Sequence, residues 1–183
     1  FVSYTGAAKY NWHPKPSPYF KTVMLADSNM RNVASPPKDI EIHCLPGAKL
    51  EHVVAALARM APDESRDIII QGGINNRHSN DKALNNIFND LQLAIAASPW
   101  ILKTYALGIS ISESCSADIS SKVNFINSLF LTLVGPSCYI PPIPSRVVAI
   151  SARDQYGIHH NGDTVNKILE SIDEFFFESL AQA

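Results

Sequence analysis

The chain has 183 residues, of which 46% are hydrophobic and 17% charged, with a formal net charge of −2. That length supports one domain with a core of its own, and the composition is that of an ordinary soluble globular protein. The slightly acidic balance excludes a general nucleic-acid or anionic-membrane surface, which requires a basic excess. Residues 1–26 are a local exception, carrying Lys9, Lys15 and Lys21 and no acid. No apolar run approaches the ~18 residues needed to span a bilayer. The first residue is Phe1 rather than Met, so the chain is read as a fragment or a processed product. Cys44, Cys115 and Cys138 form no CxxC pair and no metal-ligand spacing. They are read as three buried thiols in a reducing, intracellular and cytoplasmic setting.

Residues 1–20 read as an extended arm, because Pro14, Pro16 and Pro18 alternate with other residues. Its aromatic residues, among them Tyr4, Tyr10 and Trp12, are taken as anchors along the surface of a single domain formed by residues 21–183. From there strand-like and helix-like segments alternate. Residues 22–26 form a short apolar strand, and residues 39–43 a weaker one. Residues 50–60 carry Val53, Val54, Leu57 and Met60 at helical spacing. Residues 67–71 are the clearest buried strand, β-branched and flanked by polar positions. Residues 83–97 form an amphipathic helix, with Leu84, Ile87, Phe88, Leu91 and Ile95 on one face. A fourth strand falls within 101–112 and a helix over 119–134. Residues 137–140 predict a fifth short strand, and 147–150 a further extended piece. Asp163 is the expected N-cap of a final helix striped with Val165, Ile168, Leu169, Ile172 and Phe176.

Strands alternating with helices of this length predict βαβ units. The expected fold is a three-layer α/β/α domain with about five mostly parallel strands in the flavodoxin-like order 2-1-3-4-5. In such a sheet the loops at the carboxyl ends of the strands share one edge, where ligands bind. Those loops are Asp27-Ser28-Asn29, Pro46-Gly47-Ala48 and Gly72-Gly73-Ile74-Asn75-Asn76, joined by Tyr156-Gly157-Ile158-His159-His160-Asn161 before the last helix. A hydroxyl, imidazoles, amide side chains and glycine-rich backbone thus converge, which is the set that acyl transfer to a serine requires.

The four blocks resemble those of the SGNH (GDSL-type) hydrolase superfamily: Leu25-Ala26-Asp27-Ser28-Asn29, the lone glycine Gly47, Gly73-Ile74-Asn75-Asn76, and His159 followed by His160-Asn161. The run Ser28-Asn29-Met30-Arg31-Asn32-Val33 with Cys44-Leu45-Pro46-Gly47-Ala48 is similar to the esterase-like domains in the first open reading frame of animal, especially fish LINE-type, retrotransposons. The resemblance implies that Ser28 is the nucleophile and His159 its general base. The N–H groups of Ser28 and Gly47 and the Asn75 amide would hold the oxyanion. The substrate it implies is a small acyl ester.

Three positions depart from the pattern: Ala26 stands for the first glycine, Asn76 for an aspartate, and Tyr156 for the acid that orients the histidine. Losing that acid's charge costs a related triad ~10⁴-fold in turnover. Asp154, two residues earlier, is the substitute orienting acid; otherwise Ser28 and His159 act as a dyad. The superfamily also uses this fold for RNA binding, so the alternative is a degenerate module binding RNA or protein within a larger retroelement nucleoprotein. His13, His43, His52 and His78 are taken as structural or surface residues. No phosphate-binding glycine loop, His-Glu-x-x-His or Gly-x-Ser-x-Gly motif occurs, so no cofactor and no metal is expected.

Overall fold

A computed structural model describes residues 1–5, 8–152, 154 and 156–181. Six strands form one parallel sheet: β1 (Val2–Ser3), β2 (Thr22–Ala26), β3 (Ile40–Cys44), β4 (Arg66–Gln71), β5 (Ile101–Leu107) and β6 (Tyr139–Ile140). Their order is β1-β3-β2-β4-β5-β6. The predicted order therefore holds for the five strands from β2 onward, with β2 central between β3 and β4. The additional edge strand comes from the very start of the chain, where Val2 and Ser3 pair with His43 and Cys44. A two-residue strand is too short to show as an alternating pattern.

The helices are α1 (Leu50–Arg59), α2 (Asp81–Ala96), α3 (Ala117–Val134) and α4 (Gly162–Ala181). Period-two alternation in the strands builds two cores. Val23, Leu25, Ile68 and Ile70 face α1, α2 and α3, meeting Leu57, Phe88, Ile126 and Phe130. Met24, Ile42 and Ile69 face the opposite way, onto Val165, Ile168, Leu169 and Ile172 of α4. Each such aliphatic side chain contributes about 1.5–3 kcal/mol by leaving water, so both faces of the sheet must be covered. None of the described helices is long and apolar enough to cross a membrane.

Four local expectations are corrected. Residues 136–138 are a 3₁₀ turn, leaving only Tyr139–Ile140 extended. Of the extended piece expected over 147–150, Val147 instead closes the 3₁₀ turn Ser145–Val147, its N–H bonded back to the Pro144 carbonyl at 3.0 Å, while Val148 is extended and Ile150 bridges His160. The last helix begins at Gly162, and Asn161 caps it by accepting the Thr164 N–H at 3.0 Å, which places Asp163 inside the first turn. Cys44 and Cys138 are buried, but Cys115 is only half-buried.

Candidate active site

The parallel register brings the ends of β2, β3, β4 and β5 to one edge. After β2, Asp27 keeps an extended backbone and caps the 3₁₀ turn Ser28–Met30, its Oδ1 accepting the Asn29 N–H at 2.8 Å. This turn presents Ser28, which is 9% exposed. The Asp27 N–H donates to Gln71 Oε1 at 3.1 Å, and the Cys44 thiol donates to the Asp27 carbonyl at 3.3 Å. The ends of β4 and β3 are thereby stapled to the serine turn.

The second block turns at Gly47, whose φ of +66° is the left-handed conformation that side chains with a Cβ avoid. The Gly47 carbonyl accepts a hydrogen bond from Lys9 Nζ at 2.7 Å. The third block turns at Gly73, φ +106°, into the 3₁₀ turn Ile74–Asn76. Half-buried Asn75 donates one amide N–H to the Ala48 carbonyl at 2.8 Å. A carboxamide has two N–H groups, and no partner for the second is found among the described residues. Asn76 is fully buried and structural: its Oδ1 accepts the Leu50 N–H at 2.8 Å, and its Nδ2 donates to Glu51 Oε2 at 2.9 Å. It thereby anchors the start of α1. No hydrogen bond from the N–H of Ser28 or of Gly47 is found among the described residues.

The fourth block is a clasped loop. Asp154 accepts the main-chain N–H groups of Tyr156, Ile158 and His159. Partial burial pushes its carboxyl up, but those amides and the nearby His159 ring outweigh burial and hold it below its ordinary value. Its contacts with His159 are therefore made through the main chain, while the His159 ring has no hydrogen bond among the described residues. The Tyr156 ring is 52% exposed, with the Arg77 guanidinium 5.9 Å from its centroid. His160 is buried and donates from Nε2 to the Ser110 carbonyl at 2.7 Å; burial lowers its pKa, and that bond partly offsets the effect. Asn32 Nδ2 donates to the His160 carbonyl at 3.1 Å, joining the serine turn to this loop.

Of the residues singled out from sequence, Gly47 and Asn75 are joined through the Gly47–Ala48 turn, and Ser28 lies on the turn stapled beside them. His159 lies one residue from the point where the Asn32 contact ties its loop to that turn. Sequence reasoning passed over Lys9, Gln71 and Ser110. Lys9 had one signal, its place in an acid-free basic arm; the other two had none.

Burial pushes the Asp27 carboxyl up to about 6, against the lowering effect of the Asn29 N–H on it. Its Oδ2 has no protein partner among the described residues. Cys44, pushed up to about 12 mainly by burial, stays a thiol. Among the described residues no group of three His, Cys, Asp or Glu side chains is placed to hold a metal ion. A cavity of about 340 Å³ opens beyond β5 and β6, lined by Ile109, Ile111, Cys115, Val123 and Pro142 among others. A larger one of about 770 Å³ lies at the opposite, amino edge of the sheet, beside Thr22, Ile40, Asp67 and Lys103, away from this chemistry.

No family model matches the sequence, and no curated protein matches it. Solved structures do match. The OSK domain of Drosophila Oskar superposes with a TM-score of 0.61 at 16% identity, over 83% of this chain and 86% of that one. A lipolytic protein of the G-D-S-L family from Veillonella parvula gives 0.60 at 12% identity, over 85% and 97%. The fold is that of the SGNH, or GDSL-type, hydrolases. The psychrotrophic esterase EstA of Pseudoalteromonas is also similar, with a TM-score of 0.58 at 12% identity over 88% and 99%. At these identities the SGNH likeness describes the backbone, and any chemistry must be argued from the side chains of this chain.

Proposed function

We propose that this protein is a serine esterase of the SGNH type acting on small acyl esters of acetyl size, through Ser28 and His159. The observation that supports this reading is the set of hydrogen bonds joining the four blocks at the carboxyl edge: Asp27 to Gln71, Asn75 to Ala48, and Asn32 to His160. In the proposed reaction His159 takes the proton of Ser28 Oγ as that oxygen attacks the ester carbonyl. The N–H groups of Ser28 and Gly47 and the second Asn75 N–H receive the developing oxyanion. The leaving alkoxide takes the proton back from His159, and water then hydrolyses the acyl-serine by the same steps. Asp154 supports His159 through its main chain and by its charge, so the pair is a dyad. A dyad that keeps its oxyanion donors retains ~10³–10⁴-fold over water.

Hydrolysis of p-nitrophenyl acetate tests this. Slow turnover is expected from the wild type and solvent background from Ser28→Ala and His159→Ala. Equal rates in all three would leave the second reading, a catalytically silent SGNH module that binds RNA or protein in a retroelement-type nucleoprotein. That reading draws support from Tyr156, which is 52% exposed and stands in the sequence where the resemblance expects the orienting acid. An RNA-binding titration beside the assay separates the two.

A further inference from the structure

We infer that Lys9, on the N-terminal arm, is a positioning residue of the active site, holding the Gly47 turn and setting a cation beside the Gly47 N–H that would receive the oxyanion; this rests on the esterase reading above. Lys9 Nζ donates to the Gly47 carbonyl at 2.7 Å, across 38 residues of sequence. Its ammonium lies 2.8 Å from where a Cβ on Gly47 would stand, so a cation rests directly against that α-carbon. The next carbonyl, of Ala48, is held by Asn75 at 2.8 Å. Two consecutive carbonyls of the turn are thus gripped, by Lys9 from the arm and by Asn75 from the third block. A glycine at φ +66° has no side chain to fix its orientation; the two bonds hold the Gly47–Ala48 and Ala48–Lys49 peptides that follow its α-carbon.

The arm is built to carry this lysine. Val2 and Ser3 pair with β3, and the Tyr4 N–H continues the ladder to the Cys44 carbonyl at 3.1 Å. Tyr4 Oη bonds His43 Nδ1 at 2.8 Å. Lys9 opens the 3₁₀ turn Lys9–Asn11, Tyr10 packs edge-on to His52 with centroids 4.5 Å apart, and Trp12 is buried. His52 Nδ1 accepts the Lys49 N–H at 2.8 Å, directly after the gripped turn. No carboxylate lies within 4.0 Å of Lys9 Nζ among the described residues. Its charge is therefore left to favour the anion that forms beside Gly47. Oxyanion donors act only when pre-aimed, and losing one typically costs ~10²–10³ in rate.

Steady-state kinetics on p-nitrophenyl acetate with the full chain test the inference, comparing wild type, Ser28→Ala, Lys9→Met and Lys9→Arg. Lys9→Met is expected to lower kcat about tenfold, a fraction of the loss of a whole donor, and to leave KM within about twofold. Lys9→Arg, which keeps a charged donor, recovers much of the loss. Lys9 is half-buried and makes one hydrogen bond, so the thermal midpoint of Lys9→Met should fall by no more than about 2–4 °C, the worth of one such bond, and that of Lys9→Arg by less. A merely structural lysine would instead move the midpoint and KM while sparing kcat. If wild-type turnover depends on Ser28 but Lys9→Met matches wild type, or if Lys9→Arg recovers nothing, the Lys9 inference falls and the esterase reading stands. If wild-type turnover does not depend on Ser28, the esterase reading falls and takes this inference with it.

Discussion

Asp27 closes β2 with a fully buried carboxyl, one oxygen bonded to the Asn29 N–H and the other without a protein partner among the described residues. Burial raises its pKa from 3.8 to about 6. A raised carboxyl favours the fold while it keeps its proton. Its contribution is complete below pH 3.8 and is lost as pH rises through about 6, where the folded chain must hold a buried charge. Asp27→Asn keeps the acceptor for Asn29 and removes that charge. Its stability advantage over wild type should be small at pH 4, open between pH 4 and 6, and stay constant above pH 7. At 1.4 kcal/mol per pH unit the plateau reaches at most about 3 kcal/mol. Urea unfolding of both proteins at pH 4, 6 and 8 checks this; a difference independent of pH would show that the charge is not the cause.

At the scale of elements, α4 is the one described helix that covers its face of the sheet, so its start carries weight. Asn161 accepts the Thr164 N–H, and Asp163 sits two residues too late to cap. Asn161→Ala should cost about 1 kcal/mol, a fall of about 2–4 °C in a chain of this size. Asp163→Ala loses only a favourable charge near the helix N-terminus, roughly 0.3–1 kcal/mol. Thermal melts of the two variants should rank in that order, and the reverse ranking would return the cap to Asp163. The same element shows why sequence reading missed by two positions. Asn and Asp both cap well, and only the turn of the preceding loop, held by the Ile150–His160 bridge, selects between them.

Across the whole molecule, three histidines are held below their ordinary value of 6.5. Burial is the first cause in each case: His43 beneath the arm, His52 at the start of α1, and His160 beside Ser110. The Glu41 bond to His43 at 2.9 Å and the Ser110 carbonyl on His160 offset part of the effect. Below pH 6.5 the unfolded chain binds protons that the folded chain declines, so stability falls on acidification. Asp27 works in the opposite sense over part of that range, so the Asp27→Asn protein is the one to test. Its thermal midpoint should drop steadily between pH 7 and 5, more steeply than that of wild type. A flat profile would mean that these imidazoles titrate alike in the folded and unfolded chains.

The sequence by itself determined the α/β class, the order of the five strands from β2 onward and the grouping of four polar blocks at one sheet edge. Alternating apolar strands such as 67–71 and striped helices such as 83–97 can be buried in few other ways, and parallel strands place all their carboxyl ends together. Only the tertiary structure decided what arises between residues far apart in the chain. Val2–Ser3 becomes a strand because β3 offers an unpaired edge. Asp27 becomes a costly buried acid because β3 and β4 close over it, and Lys9 meets Gly47 because the arm is pinned at Tyr4 and Trp12. Asp154 sits where an orienting acid could be sought, yet its oxygens go to three main-chain amides. Periodicity and turn chemistry are local and legible in sequence. Hydrogen bonds across 38 residues, and the burial that shifts a carboxyl, depend on which surfaces the packed sheet brings together.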